Sequence, residues 1–364
     1  MRIKDITDFL EQFAPLSYQE SYDNSGLLVG DANAEISGIA ITLDVTEQVI
    51  DEAIRNGDNL IIAHHPLIFK GLKSLTGKHW VERCVIKALK HDIALYAIHT
   101  NLDNVHLGVN KKIAEKLSLK NIRVLSPKSE ILSKLVTFVP PKDAQQVLDA
   151  LYKAGAGQIG QYDHCSFQTE GTGTFRPGDG SSPHIGNHHV DETVNEKRIE
   201  LIFPSHLKHR MVSALHNSHP YEEVAYYLST LSNTNQEVGS GIVGDLTSPM
   251  GASEFLRHLK QTMRTDCVRH TPICKEKVSK VALCGGAGSF LLTKAIGTGA
   301  DVFVTGDFKY HDFFEADNRI VVADIGHFES EQFTKDLLYD IISEKFTNIA
   351  LRLSEVQTNP INYL

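Results

Sequence analysis

Two adjacent imidazoles, His64 and His65, close the apolar run Leu60-Ile61-Ile62-Ala63 and are followed by Pro66. Proline cannot continue a helix and holds the residue before it in extended geometry, so the pair is presented at a strand end. Histidines placed there serve as metal ligands or as partners in a hydrogen-bonded turn, and the pair alone does not choose. Three further stretches carry residues of the same kind. In His99-Thr100-Asn101-Leu102-Asp103 a His at a strand end precedes a carboxylate that could join it on a ligand, or form an Asx turn or helix N-cap. In Gly326-His327-Phe328-Glu329-Ser330-Glu331 a helix start would put His327 and Glu331 on one face, a spacing that suits a divalent ion or a solvent-exposed pair. Gly306-Asp307-Phe308-Lys309-Tyr310-His311-Asp312 adds an acid, a base and a His after an apolar run, enough for proton transfer or for a capped helix with a surface His.

The elements that must position these residues follow an alternating grammar. Helical spacing of apolar residues predicts a helix over 3–13, and 45–56 reads as a helix closed by Gly57. Strands over 37–44, 59–63 and 93–99 alternate with helices over 78–91 and 108–117. After Gly239-Ser240-Gly241 the same grammar returns, with strands over 278–284, 301–305, 320–324 and 349–354 and helices over 289–297 and 331–345. Nearly continuous apolar strands separated by helices predict an α/β domain with a mostly parallel sheet built from both chain halves. Ligands of such sheets gather at the carboxyl ends of the strands, which brings Asp44, His64, His65, His99, Asp103, His327 and Glu331 to a common end. Three histidines and two carboxylates from separate strand ends match a two-metal site, in which ions about 3.5–4 Å apart activate water and polarise a substrate. The turn Gly285-Gly286-Ala287-Gly288-Ser289 could offer backbone N–H groups to an anion, although a tight strand-to-helix turn explains it as well.

Between the two halves the grammar changes. Residues 129–235 read as strand, helix, strand, a Gly/Ser/Pro-rich loop over 176–186, strand, helix, strand, the arrangement of a ferredoxin-like α+β module. This module is therefore expected as an insertion into a discontinuous α/β domain formed by 1–128 and 236–364. The chain has 364 residues, 41% apolar and 22% charged, as a globular protein does. A net charge of −9 argues against a general nucleic-acid surface. Five scattered cysteines without a Cys-x-x-Cys pair form neither a disulfide framework nor a zinc ribbon. No signal-peptide pattern opens the chain and no apolar run reaches membrane-spanning length, so the cytoplasm is the expected compartment and no membrane partner is expected.

The motif set Tyr22-Asp23-Asn24-Ser25-Gly26-Leu27, Ala63-His64-His65-Pro66, His99 to Asp103, Gly306 to His311 and Gly326 to Glu331 resembles that of the NGG-interacting-factor-three-like proteins, also called the GTP cyclohydrolase I type 2 family. The resemblance spans the chain, because Gly155 to Tyr162, Gly171 to Pro177 and His219-Pro220-Tyr221-Glu222-Glu223 resemble the insert of the longer bacterial members. It implies a dinuclear site on His64, His65, Asp103, His327 and Glu331, holding two divalent ions per chain, zinc foremost, with iron, manganese or nickel as alternatives. It places Asp44 and His311 at positions that line the family's pocket, which makes them the candidate catalytic groups. It further implies a toroidal homohexamer with its sites facing an internal cavity. The family's name implies opening of the GTP imidazole ring with formate release on a small-molecule nucleotide ligand. Metal binding or delivery without turnover is the alternative from a different class.

Overall fold

The computed structural model describes residues 1–364. The chain divides into two compact units, residues 1–127 with 237–364, and residues 128–236. No helix is long and apolar enough to cross a membrane.

The larger unit holds two sheets where the strand grammar predicts one. The first has the order Gly26–Val29, Ala94–Ala97, Leu60–Ala63, Ile39–Thr42, Leu351–Leu353. Its last four strands are parallel and the first is antiparallel. The three central strands are buried at every position, as expected where helices cover both faces. Helix Glu47–Asn56 shows why the local grammar was readable: the Thr46 hydroxyl accepts from the Val49 N–H, and Gly57 ends the helix at φ 73°.

The second sheet contains the parallel strands Lys277–Ala287, Val302–Gly306 and Val321–Asp324, flanked by Arg269–His270 on one side and by Thr234–Gly251 and Lys120–Ser129 on the other. Each sheet takes one strand from the opposite half of the chain: Leu351–Leu353 joins the first and Lys120–Ser129 the second. Periodicity identifies a strand but not its neighbour, so one sheet and two sheets read alike in sequence.

In the inserted unit the strands Leu132–Val139, Phe167–Phe175, Glu192–Pro204 and Tyr226–Leu231 form an antiparallel sheet in which Glu192–Pro204 and Leu132–Val139 are central. Helices Ala144–Lys153 and Lys208–Ser218 supply Val147, Leu148, Leu151, Met211 and Leu215 to a core shared with Leu135, Val139, Ile199, Leu201 and Phe203 of the strands.

Candidate metal centre

The strand Leu60–Ala63 keeps its pairing for two residues past its end, since the N–H groups of His64 and His65 donate to the carbonyls of Thr42 and Leu43. The two rings then turn to the same cleft, with centroids 5.0 Å apart. His64 is fully buried, and its Nδ1 donates to the Ile98 carbonyl at 2.8 Å. That bond fixes the tautomer and aims Nε2 at the cleft, 3.6 Å from Asp103 Oδ1 and 3.8 Å from Glu331 Oε1. His65 Nδ1 donates to Asp44 Oδ1 at 2.7 Å, which leaves Nε2 at 2.9 Å from Glu331 Oε2. From the second sheet, Gly326 at φ 91° turns the chain into the short helix His327–Glu331, so His327 and Glu331 lie one turn apart. His327 Nδ1 contacts Asp307 Oδ2 at 2.7 Å, and its Nε2 stands 3.1 Å from Glu331 Oε2 and 3.3 Å from His65 Nε2. Glu331 is the centre of the arrangement. One of its oxygens faces His64 and the other faces His65 and His327.

The structure therefore brings together the five residues expected from sequence, and it shows what the neighbouring candidates do. Asp44 holds His65 with one carboxylate oxygen and accepts the Thr358 hydroxyl with the other at 2.7 Å, so its position is that of an orienting partner. His311 is exposed and packs against Tyr310 and Phe314, outside the cleft. The acid of the same stretch, Asp307, reaches the site instead, through His327. His99, paired with Asp103 in the sequence as a possible ligand but outside the five-residue set, also reaches the site. Its ring lies 5.3 Å from that of His64 and 5.4 Å from that of His65, with Nδ1 held by Asp23 Oδ1 at 2.8 Å. Asp23 also accepts from the Asn24 and Thr100 N–H groups, so the turn 22–25 both satisfies backbone donors and orients a histidine. The glycine turn after strand Lys277–Ala287 is not an anion cradle. Its N–H groups at Gly285, Gly286 and Gly288 already donate to Asn110, Ser330 and Thr305 side chains.

Asp44, His65, His99, Asp103, His327 and Glu331 line a cleft of about 500 Å³, to which Tyr22, Phe69 and Phe290 contribute aromatic walls. The family model for DUF34/NIF3, NGG1p interacting factor 3, matches residues 1–360. The chain belongs to the DUF34/NIF3 family. It is 41% identical over 367 residues to a Bacillus subtilis protein named GTP cyclohydrolase 1 type 2 homolog, covering 99% of this chain and 98% of that one. A Halalkalibacterium halodurans protein of the same name is 40% identical over 364 residues, with 99% and 98% coverage. Among solved structures, a Bacillus cereus protein related to NIF3 is similar with a TM-score of 0.87 and 38% identity, covering 100% of this chain and 99% of that one. A Staphylococcus aureus protein follows at a TM-score of 0.79 and 32% identity, with the same coverage.

The donor set of this DUF34/NIF3 chain fits divalent ions. His64 Nε2 and Asp103 Oδ1 are shut off from solvent and have no hydrogen-bond partner. Such atoms are costly unless a ligand satisfies them. Three groups of donors lie within 4.8 Å of one another: His64, Asp103 and Glu331; His65, His327 and Glu331; and His64, His65 and His99. Imidazole with carboxylate suits zinc, iron, manganese or nickel. The same geometry sets the electrostatics of the cleft. Burial alone would lower the pKa of His65, but hydrogen bonds and charge from Asp44 and Glu331 outweigh it and raise it to about 9. Burial is likewise overcome at His327, where Glu331 and Asp307 raise the pKa to about 11. Burial and the Glu331 charge push Asp103 up to about 8. Glu331 itself is held well below the ordinary carboxylate range, because His327 and the other facing histidines outweigh the cost of burial.

Proposed function

We propose that the cleft holds two divalent ions, one on His64, Asp103 and Glu331 and the other on His65, His327 and Glu331, and that the protein is a hydrolase opening a nucleotide-like ring. The observation that carries this reading is the two-sided carboxylate of Glu331, whose oxygens stand 3.8 Å from His64 Nε2 and 2.9 Å from His65 Nε2. A bound ion pair supplies water activation and polarisation of a substrate nitrogen or oxygen. The chain's own groups do the rest. Asp44 and Asp307 fix the ring orientations of His65 and His327. With Nδ1 held by Asp23, His99 keeps Nε2 as the nitrogen that can take and return a proton. Tyr22, Phe69 and Phe290 offer faces for a planar ring. The relatives are named GTP cyclohydrolase 1 type 2 homolog, and the reaction proposed on that name is hydrolysis of the GTP imidazole ring in two additions of water: the first, at the carbon between the ring nitrogens, opens the ring to a formamide, and the second cleaves the formamide to formate and a free amine.

A second reading, metal holding or delivery without turnover, is favoured by one feature: no Lys or Arg lines the cleft, so no side-chain cation there meets a triphosphate. Protein reconstituted with zinc, manganese or iron separates the two. Formate release from GTP supports the hydrolase. A chain that loads two ions, releases no formate with any of these metals and then passes its ions to an apo-acceptor supports delivery instead.

Assembly as a toroidal homohexamer belongs to the same proposal. It is supported by aromatic side chains left bare on the larger unit, Tyr310 at 72% and Phe314 at 66% exposure. Light scattering that returns the mass of one chain at micromolar concentration would overturn it.

A further inference from the structure

Within the inserted unit lies a cavity of about 320 Å³, walled by two motifs that the metal centre leaves without a role, 171–177 and 219–223. Strand Phe167–Phe175 brings Phe175 to one side, and the turn after helix Lys208–Ser218 brings Tyr221 to the other, with ring centroids 6.4 Å apart at 54°. His184, from the loop between strands, stands 6.1 Å from Tyr221 at 51°. The three rings make an open corner, not a stack.

The corner is held in place by hydrogen bonds. His219 Nε2 donates to the Phe138 carbonyl at 2.9 Å, and the Tyr221 N–H donates back to His219 Nδ1 at 3.1 Å. The loop is tied to the turn by the Ser182 N–H, which donates to Glu222 Oε1 at 2.7 Å. At Gly173 a Cβ would fall 2.2 Å from Glu196 Oε2, so glycine at this strand position lets the Glu196 carboxylate lie against the backbone and line the cavity. The Tyr221 hydroxyl is shut off from solvent, Tyr221 and Glu196 line the same cavity, and burial followed by the Glu196 charge pushes the phenol pKa up.

Acidic groups predominate in the lining. Glu196, Glu222 and Glu223 contribute carboxylates, whereas the guanidinium of Arg176 is taken by Asp191 through two bonds of 2.6 Å. Aromatic faces attract a cation placed within about 6 Å of their centroids, and a neighbouring carboxylate supplies the counter-charge. An anion would meet the carboxylates, and an uncharged apolar ligand would gain nothing from them.

We propose that this cavity binds a small organic cation, an alkylammonium group seated against Tyr221, Phe175 and His184 with Glu196 as its counter-charge. The test uses the full chain and two probes of equal shape, choline and its uncharged isostere 3,3-dimethylbutan-1-ol. Calorimetry with NMR of the aromatic rings should show saturable choline binding that shifts Tyr221, and binding of the isostere weaker by about tenfold or more. Glu196→Gln should weaken choline by about the same factor, and Tyr221→Leu should abolish binding. Unchanged metal content and thermal unfolding in both variants show that the fold is kept, and if Tyr221→Leu does not fold, Glu196→Gln alone decides. Equal affinity for the two probes, tighter binding of inorganic phosphate than of choline, or no Tyr221 shift with saturating choline would overturn the proposal.

Discussion

His64 Nε2 and Asp103 Oδ1 face each other across 3.6 Å, both shut off from solvent and neither hydrogen-bonded. Each such atom costs about 1–3 kcal/mol when left unsatisfied, so the pair is stable in the company of a cation. Asp103→Asn is expected to lower the zinc content of reconstituted protein from two ions per chain towards one. Glu331→Ala removes the carboxylate facing both histidine sets and is expected to lose both ions. Elemental analysis after dialysis checks this, and a Glu331→Ala chain that retains two ions sinks the ligand assignment.

Protons and metal compete for these atoms. In the ion-free cleft His65, with a pKa of about 9, and His327, with one of about 11, are protonated at pH 7, and Asp103, at about 8, is largely so. A group whose folded pKa is raised is stabilised in its protonated form, so the His65 contribution to ion-free stability is full below 6.5 and is lost as pH rises through about 9. Metal must displace the same protons, so the sign for binding is opposite: zinc affinity rises with pH across that window and binding at pH 7 releases protons. Calorimetry in two buffers of different ionisation enthalpy measures the release. Zinc affinity that stays flat from pH 6.5 to about 9, with no proton released, contradicts the assignment.

Gly286 controls Glu331 without being a ligand. It sits at φ 62°, and a Cβ there would fall 2.4 Å from Glu331 Oε1. Gly286→Ala is expected to displace the carboxylate, lower metal content and destabilise the fold by about 1–3 kcal/mol. Gly57→Ala is the control: φ is 73° but nothing lies within 4 Å of the added methyl, so about 1 kcal/mol is lost and both ions stay. Unfolding curves with metal analysis compare the two, and equal metal loss in both variants would refute the steric argument.

Much of this site was legible because its ligands follow strand ends, and a strand end is a local signal. His64-His65 before Pro66, and His327 one turn from Glu331, could be found without knowing which strands pair. What stayed hidden was non-local. Thr234–Gly251 and Lys120–Ser129 were missed as strands because Gly239, Gly241, Gly244 and Pro127 read as breakers. In the structure Gly239 gives room for close backbone approach, since a Cβ there would lie 2.2 Å from the Ser126 carbonyl oxygen. Helix Ala252–Thr262 follows that strand and was not anticipated either. Asp307 and Asp23 orient site histidines from 20 and 76 residues away, and no spacing rule reports such a pairing. His311 shows the converse: a residue well placed in its motif can still lie outside the cleft's walls.

The last strand is followed by a tail that crosses back to the site. The Thr358 hydroxyl donates to Asp44 Oδ2 at 2.7 Å while Asp44 Oδ1 holds His65 Nδ1 at the same distance. Asn359 Nδ2 donates to Glu329 Oε1 at 3.1 Å, within the helix that carries His327 and Glu331. Groups that orient a metal-binding imidazole typically change affinity by about 10–100-fold when altered. Asp44→Asn should therefore weaken zinc binding by about that factor while leaving two sites, and Thr358→Val should weaken it less, because Asp44 loses one donor but keeps its contact with His65. His311→Ala should leave affinity unchanged, since that side chain is outside the cleft. Chelator competition measures all three. Loss of affinity in His311→Ala comparable to that in Asp44→Asn would show that the isolated cleft is not the whole site, and an unchanged Asp44→Asn would show that His65 needs no carboxylate to bind.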